Sequence, residues 1–178
     1  MRILGAKVGI LVIALDVAKA AVAVWLASLV FGTTVSQLAS SFYLDRQVAE
    51  LAAALAVISG HNWPVFLKFR GGRGVATFFG ALLPMAPAAA IFGAEVLGIV
   101  AVSTRYMSAG SLAGALAAWA ILVPLTLFHS FPPIFLAVVL LCACLVVYQH
   151  RDNIVRLQAG LERKLGEKAE KSRRLATD

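Results

Sequence analysis

From Val8 to Phe31 the chain is apolar apart from two ionisable side chains, Asp16 and Lys19. A run of that length is what a helix needs to cross the hydrocarbon core of a bilayer, about 20 residues with a range of about 17–25. Met107 to Phe128 qualifies in the same way, as does Ile134 to Tyr148 with its flanks. Arg46 to Gly60 is shorter but rich in alanine, leucine and valine. Composition points in the same direction. The 178 residues are 61% hydrophobic and 14% charged, where an average soluble domain has about 45–50% and about 25%. The predicted fold class is all-α, a polytopic transmembrane helix bundle.

Between Gly74 and Ser103 the apolar sequence reads either as one kinked span or as two short ones hinged at Pro84-Met85-Ala86-Pro87. Two prolines this close favour a turn. Charge placement separates the alternatives. With six spans, fourteen of the sixteen Lys and Arg residues fall on one side: Arg2 and Lys7, then Lys68, Arg70 and Arg73, then Arg105, then eight after His150. Lys19 lies within a span and Arg46 alone falls opposite. With five spans, Arg105 and the basic tail would change sides. The positive-inside rule therefore predicts six spans with both termini cytoplasmic.

The formal charge of +7 is compatible with nucleic acid or a membrane surface. The cations sit in short gaps between apolar runs and in the tail, which is juxtamembrane anchoring and argues against nucleic acid. A signal peptide is disfavoured at the N-terminus, because Asp16 and Lys19 interrupt the apolar centre and the run exceeds the usual apolar region of about 7–15 residues. Residues 1–150 read as one transmembrane bundle and 151–178 as a basic cytoplasmic tail. In the tail Ile154, Leu157, Leu161 and Leu165 recur at helical spacing, predicting a partly amphipathic surface helix. Cys142 and Cys144 lie within a span, too close together to bridge, and have no metal-ligand spacing.

Three segments on the predicted cytoplasmic side carry polar residues beyond simple anchors. The first runs from Gly60-His61-Asn62-Trp63-Pro64 to Gly71-Gly72-Arg73-Gly74-Val75-Ala76-Thr77. Gly71, Gly72 and Gly74 permit a backbone nest whose N–H groups converge at the start of a helix, an anion-binding arrangement. Arg70 and Arg73 add bidentate donors suited to phosphate. The competing reading is a flexible loop whose arginines serve only as anchors. The Gly-x4-Gly-Lys-Ser/Thr spacing of a Walker loop is absent. The second segment is Tyr106-Met107-Ser108-Ala109-Gly110-Ser111, where Ser108 and Ser111 share a helix face and can jointly bond a polar ligand. Its small residues equally suit close helix packing. The third begins His150-Arg151-Asp152-Asn153 and continues to Gly160-Leu161-Glu162, with His150 and Asn153 on one face.

Ionisable groups inside spans cost about 2.5–3.5 kcal/mol each on insertion scales. Asp16 and Lys19, three apart, can pair and reduce that cost, either as a structural pair facing the bundle interior or as one that supports a site, and the structural role is the preferred reading. Glu95 lies inside a span with no assigned role. Each of His61, His129 and His150 lacks an aspartate five residues on; Phe66, Ile134 and Val155 stand there. No His-x4-Asp acid–base dyad is therefore present.

Taken in order, the three segments resemble the signature of the acyl-phosphate-dependent glycerol-3-phosphate acyltransferases, the PlsY family. Gly60 to Thr77 is similar to that family's central motif, Tyr106 to Ser111 to the next, and His150 to Leu157 with Gly160-Leu161-Glu162 to the C-terminal one. Leu15-Asp16-Val17-Ala18-Lys19 looks like the family's second span. The likeness runs from Arg2 to about Gly166. The family's first span, and a Ser-Gly-Asn stretch in its first loop, have no counterpart before Arg2. Arg73 stands where the family usually has lysine, which keeps the charge and changes its geometry.

The resemblance implies transfer of a fatty acyl group from acyl phosphate to the 1-hydroxyl of glycerol 3-phosphate, giving lysophosphatidate in the bacterial inner membrane. It implies a partner enzyme that supplies acyl phosphate, surrounding membrane lipid, and no cofactor or metal. The implied catalytic residues are Arg2, Arg73, Ser111, His150 and Asn153. The implied phosphate-binding residues are His61, Arg70, Gly71, Gly72, Gly74 and Ser108. The alternatives are an inactive, degenerate family member or a small transporter whose pathway Asp16, Lys19 and Glu95 would mark. No inverted repeat and no matching pair of interrupted spans supports transport. A purely structural membrane protein leaves the three polar segments unexplained. The topology is checked with a reporter that is active only in the cytoplasm, fused after Asp178. Activity is expected, and a silent reporter on a well-expressed fusion would contradict six spans.

Overall fold

The computed structural model describes residues 5–33, 46–128 and 131–167, whose regular elements are all helical, with no strand among them. Helix α1 spans Gly5–Thr33, α2 Arg46–Asn62, α3 Val75–Met85, α4 Pro87–Thr104, α5 Met107–Ala120, α6 Leu122–Leu127, α7 Pro133–Gln149 and α8 Arg151–Gln158. A short 3-10 turn, Val65–Leu67, lies between α2 and α3. With lipid as solvent, helices are the way to satisfy every backbone N–H and C=O within one segment.

A short apolar helix is the central one. α3 packs against α1, α2, α4, α5 and α7, and seven of its eleven residues are buried, among them Phe78, Phe79, Leu82 and Met85. Ile58 of α2, Leu122 of α6 and Val139 and Val146 of α7 close around Phe78 and Phe79, whose rings meet edge to face at 5.3 Å. A second cluster joins Ala20 and Val24 of α1 to Leu51, Ala81, Met85 and Phe135. The outer faces stay apolar: Ile10, Leu11, Trp25, Ile91 and Ile99 are all exposed. A helix apolar all round, with half its surface uncovered by protein, is suited to lipid rather than water.

The proline hinge divides the chain where expected. Pro84 occupies the last turn of α3, Pro87 opens α4 where its missing N–H costs nothing, and Ala86 between them leaves the helical region (φ −146°, ψ 69°). Two helices therefore replace a single kinked span. α4 and α5 pair closely because Gly93 and Gly114 oppose each other. A Cβ on Gly114 would come within 2.6 Å of the Gly93 carbonyl oxygen, so only the smallest residues permit this approach.

Among the described residues three stretches are long and apolar enough to cross a membrane alone: Lys7–Phe31, Pro87–Thr104 and Met107–Leu127. The last comprises α5 and α6. The pair α7 and α8, bent by 60°, makes a fourth if counted together. The other two runs of the six-span reading are helices as well, but α2 has 17 residues and α3 only 11. At 1.5 Å per residue α3 is about 16 Å long, roughly half the hydrocarbon thickness.

The tail departs from the predicted helical repeat. α8 ends at Gln158, and Gly160 takes a left-handed conformation (φ 70°) that turns the chain back. Leu161 and Leu165 therefore lie beyond the helix. The N–H of Leu165 donates to the Arg105 carbonyl at 2.7 Å, and Arg105 donates in return to the Leu165 carbonyl at 2.9 Å. These bonds fasten the segment after α8 to the corner between α4 and α5. The rest of the tail, from residue 168, lies outside the described residues.

Candidate active site at one end of the bundle

The irregular backbone between α2 and α3 is closed by hydrogen bonds. The N–H groups of Gly71 and Gly72 donate to the carbonyls of Asn62 and His61, both at 3.1 Å. Within the loop, Leu67 and Phe69 donate to Pro64, Lys68 to Val65, and Arg70 to Leu67. Lys68 and Phe69 take left-handed conformations (φ 53° and 60°) that non-glycine residues rarely adopt. The apolar tip of Val65, Phe66, Leu67 and Phe69 is left exposed.

This geometry corrects the nest expected from the glycines. The Gly71 and Gly72 N–H groups do not converge on an anion; they close the loop onto the end of α2. Glycine is needed because a Cβ on Gly71 would overlap the His61 carbonyl oxygen, and one on Gly72 would overlap His61 Nε2. Gly74 has a positive φ of 75° and starts α3 without any side-chain cap. An uncapped helix start still presents N–H groups and the positive end of the helix dipole to an anion.

Beside that helix start lie polar atoms that sequence reasoning did not single out. Asn62 is 1% exposed and Thr77 fully buried, yet the Asn62 amide and the Thr77 hydroxyl have no hydrogen-bond partner among the described residues. Asn62 Oδ1 reaches toward Gly74, where a Cβ would stand 2.6 Å away. Buried polar groups are nearly always bonded, and orphans of this kind mark places where a ligand or water supplies the bond. Nothing in the sequence could reveal their burial, since it arises from packing.

His150 sits at the break between α7 and α8, 1% exposed. Its Nδ1 lies 2.8 Å from the Val146 carbonyl oxygen. A carbonyl only accepts, so Nδ1 carries the proton and neutral His150 presents Nε2 as an acceptor. Arg73 is close enough for its charge to act on the His150 ring. The second and third motifs meet at Glu162. Its Oε1 accepts from Ser108 Oγ at 2.8 Å and from Asn153 Nδ2 at 2.7 Å, and its Oε2 accepts from Arg156 Nε at 2.9 Å. Ser111 is buried and bonds back to the Met107 carbonyl at 2.8 Å. In this segment the serines do not share a partner: Ser108 bonds Glu162 and Ser111 bonds its own helix backbone, while Gly110 lets α5 pack closely against Leu97 and Ala101 of α4.

His61 lies at the end of α2 against the glycine loop, held by Lys19 and Asp16 of α1. The Asp16–Lys19 pair thus stands beside a candidate site residue, the placement of a pair that supports a site rather than of the preferred structural one. Arg70 is exposed on the loop. Arg2 lies outside the described residues, as does His129. The arrangement brings His61, Arg73, Gly74, Ser108, His150 and Asn153 to the same end of the bundle, where arginines and an uncapped helix start favour bound phosphate.

Fold and site together define a multi-pass helical membrane protein with a cationic, glycine-lined site where its helices end. The sequence model of the glycerol-3-phosphate acyltransferase family matches residues 1–160, and the chain belongs to that family. It is 49% identical over 169 residues to glycerol-3-phosphate acyltransferase 3 of Dehalococcoides mccartyi strain CBDB1, covering 95% of this chain and 78% of that one. It is 38% identical over 170 residues to glycerol-3-phosphate acyltransferase of Thermoanaerobacter sp. strain X514, covering 96% and 77%. Among solved structures, the crystal structure of PlsY (YgiH), an integral membrane glycerol 3-phosphate acyltransferase, superposes in its glycerol 3-phosphate form. The TM-score is 0.74 at 32% identity, over 93% of this chain and 74% of that one. The lysphosphatidic acid form gives the same score and identity, with 76% of that chain covered.

Burial raises the Glu162 pKa, but the hydrogen bonds from Asn153, Arg156 and Ser108 outweigh it and hold the carboxyl below its usual 4.5. The unfolded chain then binds more protons than the folded one as pH falls through this range, so Glu162 stabilises the fold above about pH 4.5 and loses that effect below. Thermal melts in detergent are expected to show Glu162→Gln less stable than the parent at neutral pH, with the gap narrowing as pH drops through 4.5. A gap independent of pH would refute the assignment.

Proposed function

We propose that this chain transfers a fatty acyl group from acyl phosphate to glycerol 3-phosphate in the bacterial inner membrane, releasing lysophosphatidate and inorganic phosphate. The observation that carries this reading is the gathering of the three motif segments at one end of a membrane bundle, with Ser108 and Asn153 joined on Glu162 and Arg73 within electrostatic reach of His150. Both substrates are phosphates and the donor is a lipid, so a cationic site beside lipid suits them. The chain crosses the membrane six times with both termini cytoplasmic, and an acyl-phosphate-forming enzyme supplies the donor. Residues 1–150 form the catalytic bundle, and the segment that follows ties the site together through Glu162.

In the reaction the 1-hydroxyl oxygen of glycerol 3-phosphate bonds to the acyl carbonyl carbon. The bond from that carbon to the donor phosphate breaks, and the departing phosphate takes the hydroxyl proton. Acyl phosphate is already activated, so positioning and electrostatics supply the catalysis. Arg73, the start of α3 at Gly74, His61 and Arg70 hold substrate phosphate. Gly71 and Gly72 contribute by closing the loop, and Ser108 and Ser111 line its neighbour. His150 Nε2 accepts from the substrate hydroxyl. Asn153, held by Glu162, orients the substrate, and Arg2, outside the described residues, is assigned to orienting the same substrate.

The test is an assay of the purified protein with palmitoyl phosphate and radiolabelled glycerol 3-phosphate. The parent is expected to form lysophosphatidate. Arg73→Ala should lose roughly 10²-fold or more in turnover, the scale of removing a donor that stabilises reacting charge. Arg73→Lys should retain most activity. Product at parental rates from Arg73→Ala would sink the site, and flux of solute without covalent product would favour a transporter.

A further inference from the structure

Lys19 and Asp16 have no part in the reaction just described, yet both touch one of its residues. Lys19 Nζ lies 2.5 Å from Asp16 Oδ1 and 2.7 Å from His61 Nδ1, and Asp16 Oδ1 is 3.4 Å from the same ring nitrogen. An ammonium group only donates. The short Lys19 contact therefore requires Nδ1 to be the acceptor, and the neutral ring carries its proton on Nε2. Nε2 is the edge that abuts Gly72 in the closed loop.

We propose that Lys19 is a positioning residue that locks His61 in its Nε2–H tautomer, giving the glycine loop a fixed, neutral hydrogen-bond donor for a substrate phosphate oxygen. Asp16 holds the ammonium in place. His150 has the opposite arrangement, with its Nδ1–H engaged by the Val146 carbonyl and Nε2 left to accept. The two imidazoles at this end of the bundle thus serve different groups, one donating to phosphate and the other accepting from a hydroxyl. The inference deepens the proposed function and rests on its placing a substrate phosphate at this loop.

The neighbouring carboxylate makes the consequence specific. Asp16 and Lys19 are the charged groups acting on the His61 ring from α1, while Arg70 and Arg73 flank the glycine pair in sequence. With Lys19 replaced by methionine, Asp16 becomes the nearest partner of Nδ1. A carboxylate only accepts, so it draws the proton to Nδ1 and strips it from Nε2 in the neutral ring. Only the imidazolium, which Asp16 then favours, would again donate from both nitrogens. The defect should therefore shrink as the pH falls through the titration of the ring.

Each substrate is titrated in turn with the purified enzyme. For Lys19→Met the KM of the substrate whose phosphate the loop holds is expected to rise ~10-fold at about pH 8, the scale of losing one hydrogen bond to a charged group. The other KM and kcat should change less, and the defect should diminish toward about pH 6. The parent KM should stay flat over that range. Lys19→Arg, which keeps a donor-only cation, should restore it. Nitrogen NMR of histidine-labelled protein reads the tautomer without catalysis, the His61 signals being assigned by their loss in His61→Gln. Nδ1 is expected to be unprotonated in the parent, and this decides the matter even if Lys19→Met fails to fold. A protonated Nδ1 in the neutral parent would overturn the proposal. So would Lys19→Met with parental KM values and parental pH dependence. A parent that binds glycerol 3-phosphate but makes no lysophosphatidate overturns the proposed function instead, with the tautomer still read by NMR.

Discussion

Lipid offers backbone groups no hydrogen-bond partners, and that constraint arranges this protein. Where the chain faces hydrocarbon it is helical; where it is irregular it has found its own partners. The irregular stretches carry the polar chemistry. The loop from Trp63 to Gly74, the corner at Arg105 and Tyr106, the break at His150 and the turn after Gln158 lie where helices end. Several of their N–H groups are satisfied by specific acceptors: Gly71 by the Asn62 carbonyl, Gly72 by that of His61, Tyr106 by the Thr104 hydroxyl and Leu165 by the Arg105 carbonyl. Phosphate chemistry at the edge of a membrane needs such places, because helix starts and arginines gather there without being buried in lipid.

Two helical details make the site more than a collection of ends. α3 is short and buried on most sides, so its N-terminus is fixed by packing from five helices rather than by its own length. Glu162 then draws Ser108 of α5 and Asn153 and Arg156 of α8 onto one carboxylate. Charge-assisted hydrogen bonds of this kind are short and directional, so the second and third motifs become one unit. The glycine loop joins from the other side through His61 and the pair on α1.

Much of this was legible in the sequence because it is written in local patterns. The hinge at Pro84–Pro87 follows from what proline does to a helix, and the three polar segments stand out against apolar neighbours. What was not legible depends on contacts between distant residues. Asp16 and Lys19 announced that they could pair, but their meeting with His61 joins residues 42 positions apart on separate helices. Asn62 and Thr77 look like ordinary polar residues until packing buries them without partners. The glycines marked an irregular loop, but composition cannot say which carbonyl an N–H will find, and Gly71 and Gly72 close that loop onto α2 rather than forming a nest. The tail helix was overextended because leucine spacing continued past Gly160, whose left-handed conformation ends it.

On the proposed function, catalysis occupies the helix ends that carry Arg73, the start of α3, His150 and Asn153. The most direct measurement is a structure of the protein at saturating glycerol 3-phosphate. The bound molecule is expected to touch both sides of this cluster, with its phosphate at Arg73 and the α3 N-terminus and a hydroxyl at His150 Nε2. Glycerol 3-phosphate bound away from these helix ends, with Arg73 and His150 untouched, would contradict it.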